Sequence, residues 1–89
     1  MDKHQHHADI AARLKRASGH LNKVVAMIEA EKGCEEVAQQ LQAVCNALLT
    51  AKRAYVTDHI EHCLDVEEGM SMRDVEARMK SMKSMTKYL

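Results

Sequence analysis

Apolar side chains recur in the first third of the chain at alternating spacings of four and three residues. They lie at Ile10, Leu14, Ala17, Leu21, Val24 and Ile28. This spacing places them on one face of an α-helix, as in an amphipathic helix that packs against a partner. The pattern predicts a first helix that begins at about Asp9 and has Gly33 as its C-terminal stop.

A second apolar stripe follows Gly33 and keeps a similar helical spacing for about thirty residues. Its members are Val37, Leu41, Val44, Leu48, Ala51, Tyr55, Val56, Ile60 and Leu64. No glycine or proline lies between Cys34 and Glu68, so a single helix can span the segment. Glu35 and Glu36 suit its first turn, where the helix dipole favours carboxylates. Because this helix is longer than is usual in globular proteins, we expect a partner helix along it.

Gly69 interrupts the stripe, and a third helix is predicted beyond it. Ser71, with Asp74 three residues later, has the form of a capping box. The inner stripe of this helix is predicted to be Met72, Val75, Met79, Met82 and Leu89. Since no strand pattern is present, we expect an all-α fold with a three-helix protomer.

The chain is expected to form one domain over residues 1–89, with a flexible arm at residues 1–8 that carries His4, His6 and His7. A chain of 89 residues makes a small domain, and its apolar residues lie in long stripes that include only two aromatic side chains. A monomer would cover such stripes poorly, so oligomerisation is predicted. No apolar run indicates a membrane span or a signal peptide, and we expect a cytoplasmic protein with reduced cysteines.

Charge is unevenly distributed although the formal net charge is zero. From Ile10 to Ile28 the charged side chains are all basic, at Arg13, Lys15, Arg16 and Lys23. Between Asp58 and Glu68 they are all acidic. Such a split can give an oligomer a basic face for nucleic acid, although solvated helix faces produce the same pattern.

The residues with the most informative chemistry are Cys34, His59 and Cys63. His59 and Cys63 are four residues apart and share one helix face. Cys34 precedes His59 by twenty-five residues, which is about 37 Å along a helix. One chain therefore cannot bring the three together, whereas two antiparallel copies of the helix can. A two-fold dimer would carry two such sites.

Two thiolates and one imidazole form a donor set that suits Cu(I), and also Zn(II), Ni(II) or Co(II) with a further ligand. His4, His6 or His7 could supply that ligand. Two buried thiols and a surface histidine remain the simple alternative. No enzyme is expected, because the chain has no Cys-x-x-Cys motif and no acid–base constellation beside a thiol.

Three further groups of residues carry less information. Cys45 is interpreted as a small helix residue, and His20 as a polar or packing contact. The methionines of the third helix could attract Cu(I), but their helical spacing favours core packing.

Six segments of the chain resemble the CsoR/RcnR family of small helical repressors that sense copper, nickel, cobalt, formaldehyde or persulfide. The segments are Arg13-Leu14-Lys15-Arg16, Gly19-His20-Leu21, Met27-Ile28-Glu29, Cys34, Gln39-Gln40-Leu41-Gln42-Ala43-Val44 and Asp58-His59-Ile60-Glu61-His62-Cys63. The resemblance implies antiparallel four-helix-bundle dimers that pair into homotetramers. It also implies a cross-subunit site made by Cys34, His59 and Cys63, and operator DNA that is bound without the ligand and released with it.

The resemblance also suggests which basic residues bind DNA. Arg13 matches an arginine of the family, and Lys15, Arg16 and Arg53 are expected to act with it. Thr50 stands where the family has a second-helix arginine.

The inducer is less well defined by the resemblance. Copper sensors have a tyrosine before the first cysteine and a glutamate on the third helix, where this chain has Gly33 and Met79, with Glu76 nearby. Nickel and cobalt sensors add an N-terminal histidine. Formaldehyde and persulfide sensors lack the histidine at position 59, which disfavours both. The sequence thus predicts a transition-metal sensor, with nickel or cobalt slightly preferred to copper, and a soluble metal store or carrier as the alternative function.

Overall fold

The computed structural model describes residues 6–89, which form three α-helices and a short 3-10 turn. The elements are α1 (His7–Glu29), α2 (Cys34–Leu64), α3 (Met72–Met85) and a 3-10 turn at Thr86–Tyr88. No strand occurs within residues 6–89. The predicted all-α, three-helix protomer is confirmed. Residues 1–5 of the predicted arm, with His4, lie outside the described residues.

α1 begins at His7, two residues before the predicted start at Asp9. The His7 ring stacks on the ring of Tyr55 in α2, with centroids 5.1 Å apart and an interplanar angle of 25°. Its Nε2 atom also lies 3.6 Å from Oδ2 of Asp58. These contacts with α2 hold the first turn of α1 in place, and local sequence pattern carries no sign of them.

The turn between α1 and α2 is made at Glu31 rather than at Gly33. Glu31 has a φ of 56°, in the left-handed region. The Lys32 N–H donates to the Met27 carbonyl at 3.0 Å and the Glu31 N–H to the Ile28 carbonyl at 3.1 Å, which is the Schellman pattern. Gly33 instead precedes α2 as its N-cap residue, with a φ of −53°. The prediction of Gly33 as the stop of the first helix was therefore wrong.

The turn between α2 and α3 follows the sequence prediction. Gly69 has a φ of 85°, a conformation that side-chain-bearing residues rarely adopt. Ser71 is the N-cap of α3, and its hydroxyl accepts a hydrogen bond from the Asp74 N–H at 3.1 Å. The Arg78 guanidinium donates to the Asp65 carbonyl and so ties α3 back to the end of α2.

Packing of α1 against α2 divides each predicted apolar stripe into two rows. On α1, Ile10, Ala17 and Val24 are buried at seven-residue intervals, and on α2, Val44 and Ala51 are buried opposite them. The alternate positions face outward and stay between 41% and 56% exposed. They are Leu14, Leu21, Ile28, Leu41, Leu48 and Tyr55. We call these six residues the outer apolar face.

α3 packs along the last turns of α2 and has no fully buried residue of its own. Val75, Met79 and Met82 are half-buried, as the predicted inner stripe requires. Met72 is 71% exposed and Leu89 is also exposed, so the prediction was wrong at these two positions. They lie at or beyond the ends of a short helix, past the surface that α2 provides.

The resulting protomer is thin and elongated, with extents of 61 × 25 × 14 Å. Its radius of gyration is 18.4 Å, whereas a compact chain of this length has roughly 12 Å. A single layer of helices cannot enclose a core from both sides. The outer apolar face therefore remains exposed in the single protomer.

The left-handed conformation of Glu31 leads to a stability prediction. We expect Glu31→Gly to raise the free energy of unfolding by about 1 kcal/mol, because glycine adopts positive φ without the steric cost that a Cβ incurs. Glu76→Gly is the matched control, since Glu76 is an exposed residue inside α3. At this position inside a helix, replacement by glycine should lower the free energy of unfolding by about 1 kcal/mol. Urea denaturation at one fixed protein concentration measures both, and an unchanged or lower midpoint for Glu31→Gly would contradict the analysis.

Candidate metal site and basic groove

The three predicted metal ligands lie at opposite ends of α2. Cys34 is the first residue of this unbroken helix of 31 residues, and His59 and Cys63 lie in its last two turns. At the helical rise, Cys34 and His59 are about 37 Å apart along the axis. The protomer therefore does not bring the three residues together. Within residues 6–89, no group of three or more metal-ligating side chains is assembled.

Cys34 is exposed at one tip of the protomer. Its side chain lies in an open, mainly apolar recess at the turn between α1 and α2. The recess is also lined by Ile28, Glu31, Lys32, Val37, Ala38 and Leu41. The thiol is thus accessible from outside, and the surface around it can accommodate another apolar element.

Cys63 is only 3% exposed, in contrast to Cys34. His59 shares its helix face and is half-buried. Nε2 of His59 lies 2.9 Å from Oγ of Ser81 in α3, so α3 covers this face of α2. The second half of the candidate site is therefore pre-assembled beneath α3.

Ser81 contacts the candidate ligand His59, and the sequence analysis did not identify it. Met79, which stands where the copper sensors have a glutamate, is half-buried, and Glu76, the nearby carboxylate considered for that role, is exposed. The hydrogen bond to Ser81 occupies Nε2 of His59 and leaves Nδ1 as the ring nitrogen for a metal. Outer partners of this kind fix the orientation of ligating histidines. No sequence signal distinguishes Ser81 from Ser84; only the packing of α3 selects it.

The N-terminal histidines lie beside a different face of α2. His6 lines a recess with Asp9, Asp58 and Glu61, and His7 contacts Tyr55 and Asp58. Asp58 and His59 are consecutive residues, so their side chains point about 100° apart around the helix. The described histidines of the arm are thus not adjacent to the His59–Cys63 face.

Two of the remaining candidates take the roles expected of them. Nε2 of His20 lies 2.7 Å from Oε1 of Gln40, which confirms His20 as a polar contact between α1 and α2. Cys45 is exposed in the middle of α2, eleven residues after Cys34.

Two of the predicted DNA-binding residues lie in a groove between α1 and α2. We call it the central groove, and it is lined by Arg13, Arg16, Ala17, His20, Asn46, Ala47 and Thr50. The next recess toward the start of α1 contains Arg13 with Arg53, and also Asp9, Asp58 and Glu61. Lys15 is two residues from Arg13 and so points about 200° away around α1. The structure thus groups Arg13, Arg16 and Arg53 along one side and places Lys15 on another.

Residues 6–88 match the protein family described as metal-sensitive transcriptional repressors. The chain belongs to this family. The CsoR/RcnR resemblance is thereby confirmed for nearly the whole sequence. The family description is that of a repressor and not of an enzyme, in agreement with the sequence-based prediction.

Curated relatives in this family include copper sensors. The copper-sensing transcriptional repressor CsoR of Mycobacterium ulcerans (strain Agy99) is 33% identical over 73 residues, which cover 80% of this chain and 62% of that protein. CsoR of Mycobacterium tuberculosis (strain F11) is also 33% identical over 73 residues, covering 80% and 61%. The copper-sensing transcriptional repressor RicR of Mycobacterium tuberculosis (strain ATCC 25618 / H37Rv) is 36% identical over 61 residues, covering 66% and 64%. The chain spans about three fifths of the length of these relatives.

No solved structure gives a significant match to the chain. Among residues 6–89, none of the helices combines the length and the apolar character that a membrane crossing requires.

The cover that α3 forms over Cys63 predicts the reactivity of this thiol. We expect iodoacetamide to modify Cys63 much more slowly in the folded, reduced protein than in the urea-unfolded chain. Ser81→Ala removes a hydrogen bond worth roughly 1 kcal/mol, which should raise the open population and the modification rate about fivefold. Ser84→Ala, an exposed serine on the same helix, is the control and should leave the rate unchanged. Equal rates in the folded and unfolded protein, read by peptide mass spectrometry, would refute the shielding.

Proposed function

We propose that this chain is a copper(I)-responsive transcriptional repressor that binds operator DNA without metal and releases it when copper binds. The observation that carries the proposal is the placement of Cys34 at one end of the unbroken helix α2, with His59 and Cys63 at the other. A member of a metal-sensitive repressor family with this arrangement needs a second copy to complete its ligand set. Metal binding would then join two protomers.

The outer apolar face supports a partner copy. Six large apolar side chains at seven-residue intervals on α1 and α2 remain 41% to 56% exposed, and burial of such surface favours association. A second copy packed antiparallel against this face would give a four-helix bundle. It would bring Cys34 of one protomer to His59 and Cys63 of the other, twice per dimer. A homotetramer made from two such dimers follows from the family resemblance.

Copper is favoured as the inducer by the donor set and by the relatives. Two thiolates and one imidazole suffice for Cu(I), a soft ion that accepts few ligands, whereas Ni(II) and Co(II) require more. Similar proteins carry copper-sensing names. The sequence-based preference for nickel or cobalt depended on the N-terminal histidines. His6 and His7 lie by Asp58 and Tyr55 instead.

Ser81 gives the site a connection to α3. If Nδ1 of His59 held the ion, Nε2 would carry the hydrogen and would donate it to the Ser81 hydroxyl. The bond thus fixes the ring in the tautomer that ligation requires. Release of DNA requires that copper bind the DNA-free form more tightly, with a coupling free energy that is typically 1–3 kcal/mol.

DNA binding is assigned to the basic side chains of α1 and α2. Arg13 and Arg16 line the central groove, Arg53 lies beside it, and all are exposed to phosphates. Affinity should depend steeply on salt, because each phosphate contact releases counterions. Lys15 is also proposed as a DNA contact, although it lies on another face of α1. The proposed repressor acts as a single domain over residues 1–89 in the cytoplasm, where its operator lies.

A subunit-mixing experiment tests the cross-subunit site and the response together. Cys34→Ala and Cys63→Ala should each bind operator DNA in the absence of metal, and neither should be released by Cu(I). In a mixed dimer of the two variants, one site lacks both thiols and the other is intact. Refolding them together from urea should therefore restore about one tight Cu(I) site per mixed dimer, measured by competition with bathocuproine.

The matched control is Cys45→Ala, which removes an exposed thiol of α2 outside the candidate site. It should bind copper and release DNA like the unmodified protein. Failure of the mixed dimer to recover any tight site would contradict the cross-subunit arrangement. Binding of several ions per chain by both single variants would instead indicate a metal store, and a nickel-only response would reject copper.

A further inference from the structure

We propose that the central groove is a binding site for a DNA backbone phosphate, and that Asn46 contacts DNA there although it carries no charge. This inference rests on the proposed function, because it names the residues that hold the DNA. It also ranks the basic residues, since it places the main phosphate contact at Arg16, with Arg13 beside it, and not at Arg53.

Charge along the α1–α2 side of the protomer selects the central groove. Its lining contains the guanidinium groups of Arg13 and Arg16 and no carboxylate. The neighbouring recess contains two guanidinium groups but three carboxylates, those of Asp9, Asp58 and Glu61. A phosphate that entered this second recess would meet net negative charge. Arg53 is thus partly neutralised by its surroundings, and Nε of Arg13 lies 3.6 Å from Oδ2 of Asp9. Arg16 lines only the central groove, where no carboxylate accompanies it.

Asn46 is held with its donor group available to an anion. The Gln42 side chain donates from Nε2 to Oδ1 of Asn46 at 3.0 Å. Because this bond occupies the carbonyl oxygen of Asn46, the amide NH2 is the group left to interact with a ligand. A phosphate only accepts hydrogen bonds, so an amide in this orientation suits it.

The rest of the groove agrees with such a ligand. Thr50 lies one turn after Asn46 on the same face and adds a hydroxyl donor. Ala17 and Ala47 have small side chains, which let a phosphate approach the two helices closely. At the far end, Nε2 of His20 donates to the amide oxygen of Gln40, so this donor is used within the protomer and the ligand donors are those of the arginines, Asn46 and Thr50. The groove therefore combines cationic and neutral donors, as is common in backbone contacts to DNA.

Binding of metal-free protein to a fluorescent mixed-sequence duplex at low salt tests the inference. Backbone contacts do not depend on base sequence, so an identified operator is not required. We expect Asn46→Ala to weaken binding about tenfold, as for a lost hydrogen bond to a charged group, without changing the salt dependence. Asn46→Asp, which is nearly isosteric and adds a negative charge, should weaken it further. Arg16→Ala should also weaken binding and reduce the salt slope by about one.

Two comparisons make the test specific. Arg53→Ala should weaken binding less than Arg16→Ala does. Asn22→Ala is the matched control, because Asn22 is exposed and lies nine residues after Arg13, on the opposite side of α1. Thermal unfolding followed by circular dichroism verifies that each variant is folded.

The outcomes separate this inference from the proposed function. Normal DNA binding by Asn46→Ala and Asn46→Asp, or a larger loss for Arg53→Ala than for Arg16→Ala, would overturn the groove while leaving a DNA-binding repressor intact. A folded, metal-free protein that binds neither this duplex nor its operator would overturn both.

Discussion

The length of α2 is the constraint on which the rest of the arrangement depends. A helix of 31 residues from Cys34 to Leu64 holds its two ends about 45 Å apart, because each residue adds about 1.5 Å. Hydrogen bonding along the backbone makes this distance rigid. A thiol at one end and a thiol–imidazole pair at the other therefore cannot share an ion within one protomer. If these groups bind one ion, two protomers must contact each other. Metal binding then depends on how the two protomers pack.

Packing of the apolar side chains follows from the same elongated geometry. The α1–α2 pair is only one layer thick, so it can bury a single row from each helix, such as Ile10, Ala17 and Val24. The outer apolar face is left for another surface. Cys34 lies at one end of it, beside Leu41 and Ile28. A partner that covers this face would thus also approach the exposed thiol, which links assembly with completion of the site.

α3 is the helix with no fully buried residue, and yet it covers the His59–Cys63 half of the candidate site. Its polar connections to α2 include the Ser81–His59 and Arg78–Asp65 bonds. Elements with few buried contacts open at low cost in free energy. A change in the bonding of His59 would act directly on one of these connections. α3 is therefore well placed to respond to ligand binding, while the central groove lies elsewhere, along the α1–α2 pair.

The sequence by itself determined the three helices, the Ser71 cap and the separation of Cys34 from His59, since these follow from local periodicity and the helical rise. The sequence pattern wrongly assigned the stop of α1 to Gly33, because Glu31 makes the left-handed turn instead. It also misplaced the start of α1, which depends on contacts with Tyr55 and Asp58. Only the tertiary structure decided which apolar row is buried, which serine contacts His59, and that carboxylates accompany Arg53 but not Arg16. These features depend on how the helices are rotated against one another, and periodicity within one helix does not encode that rotation.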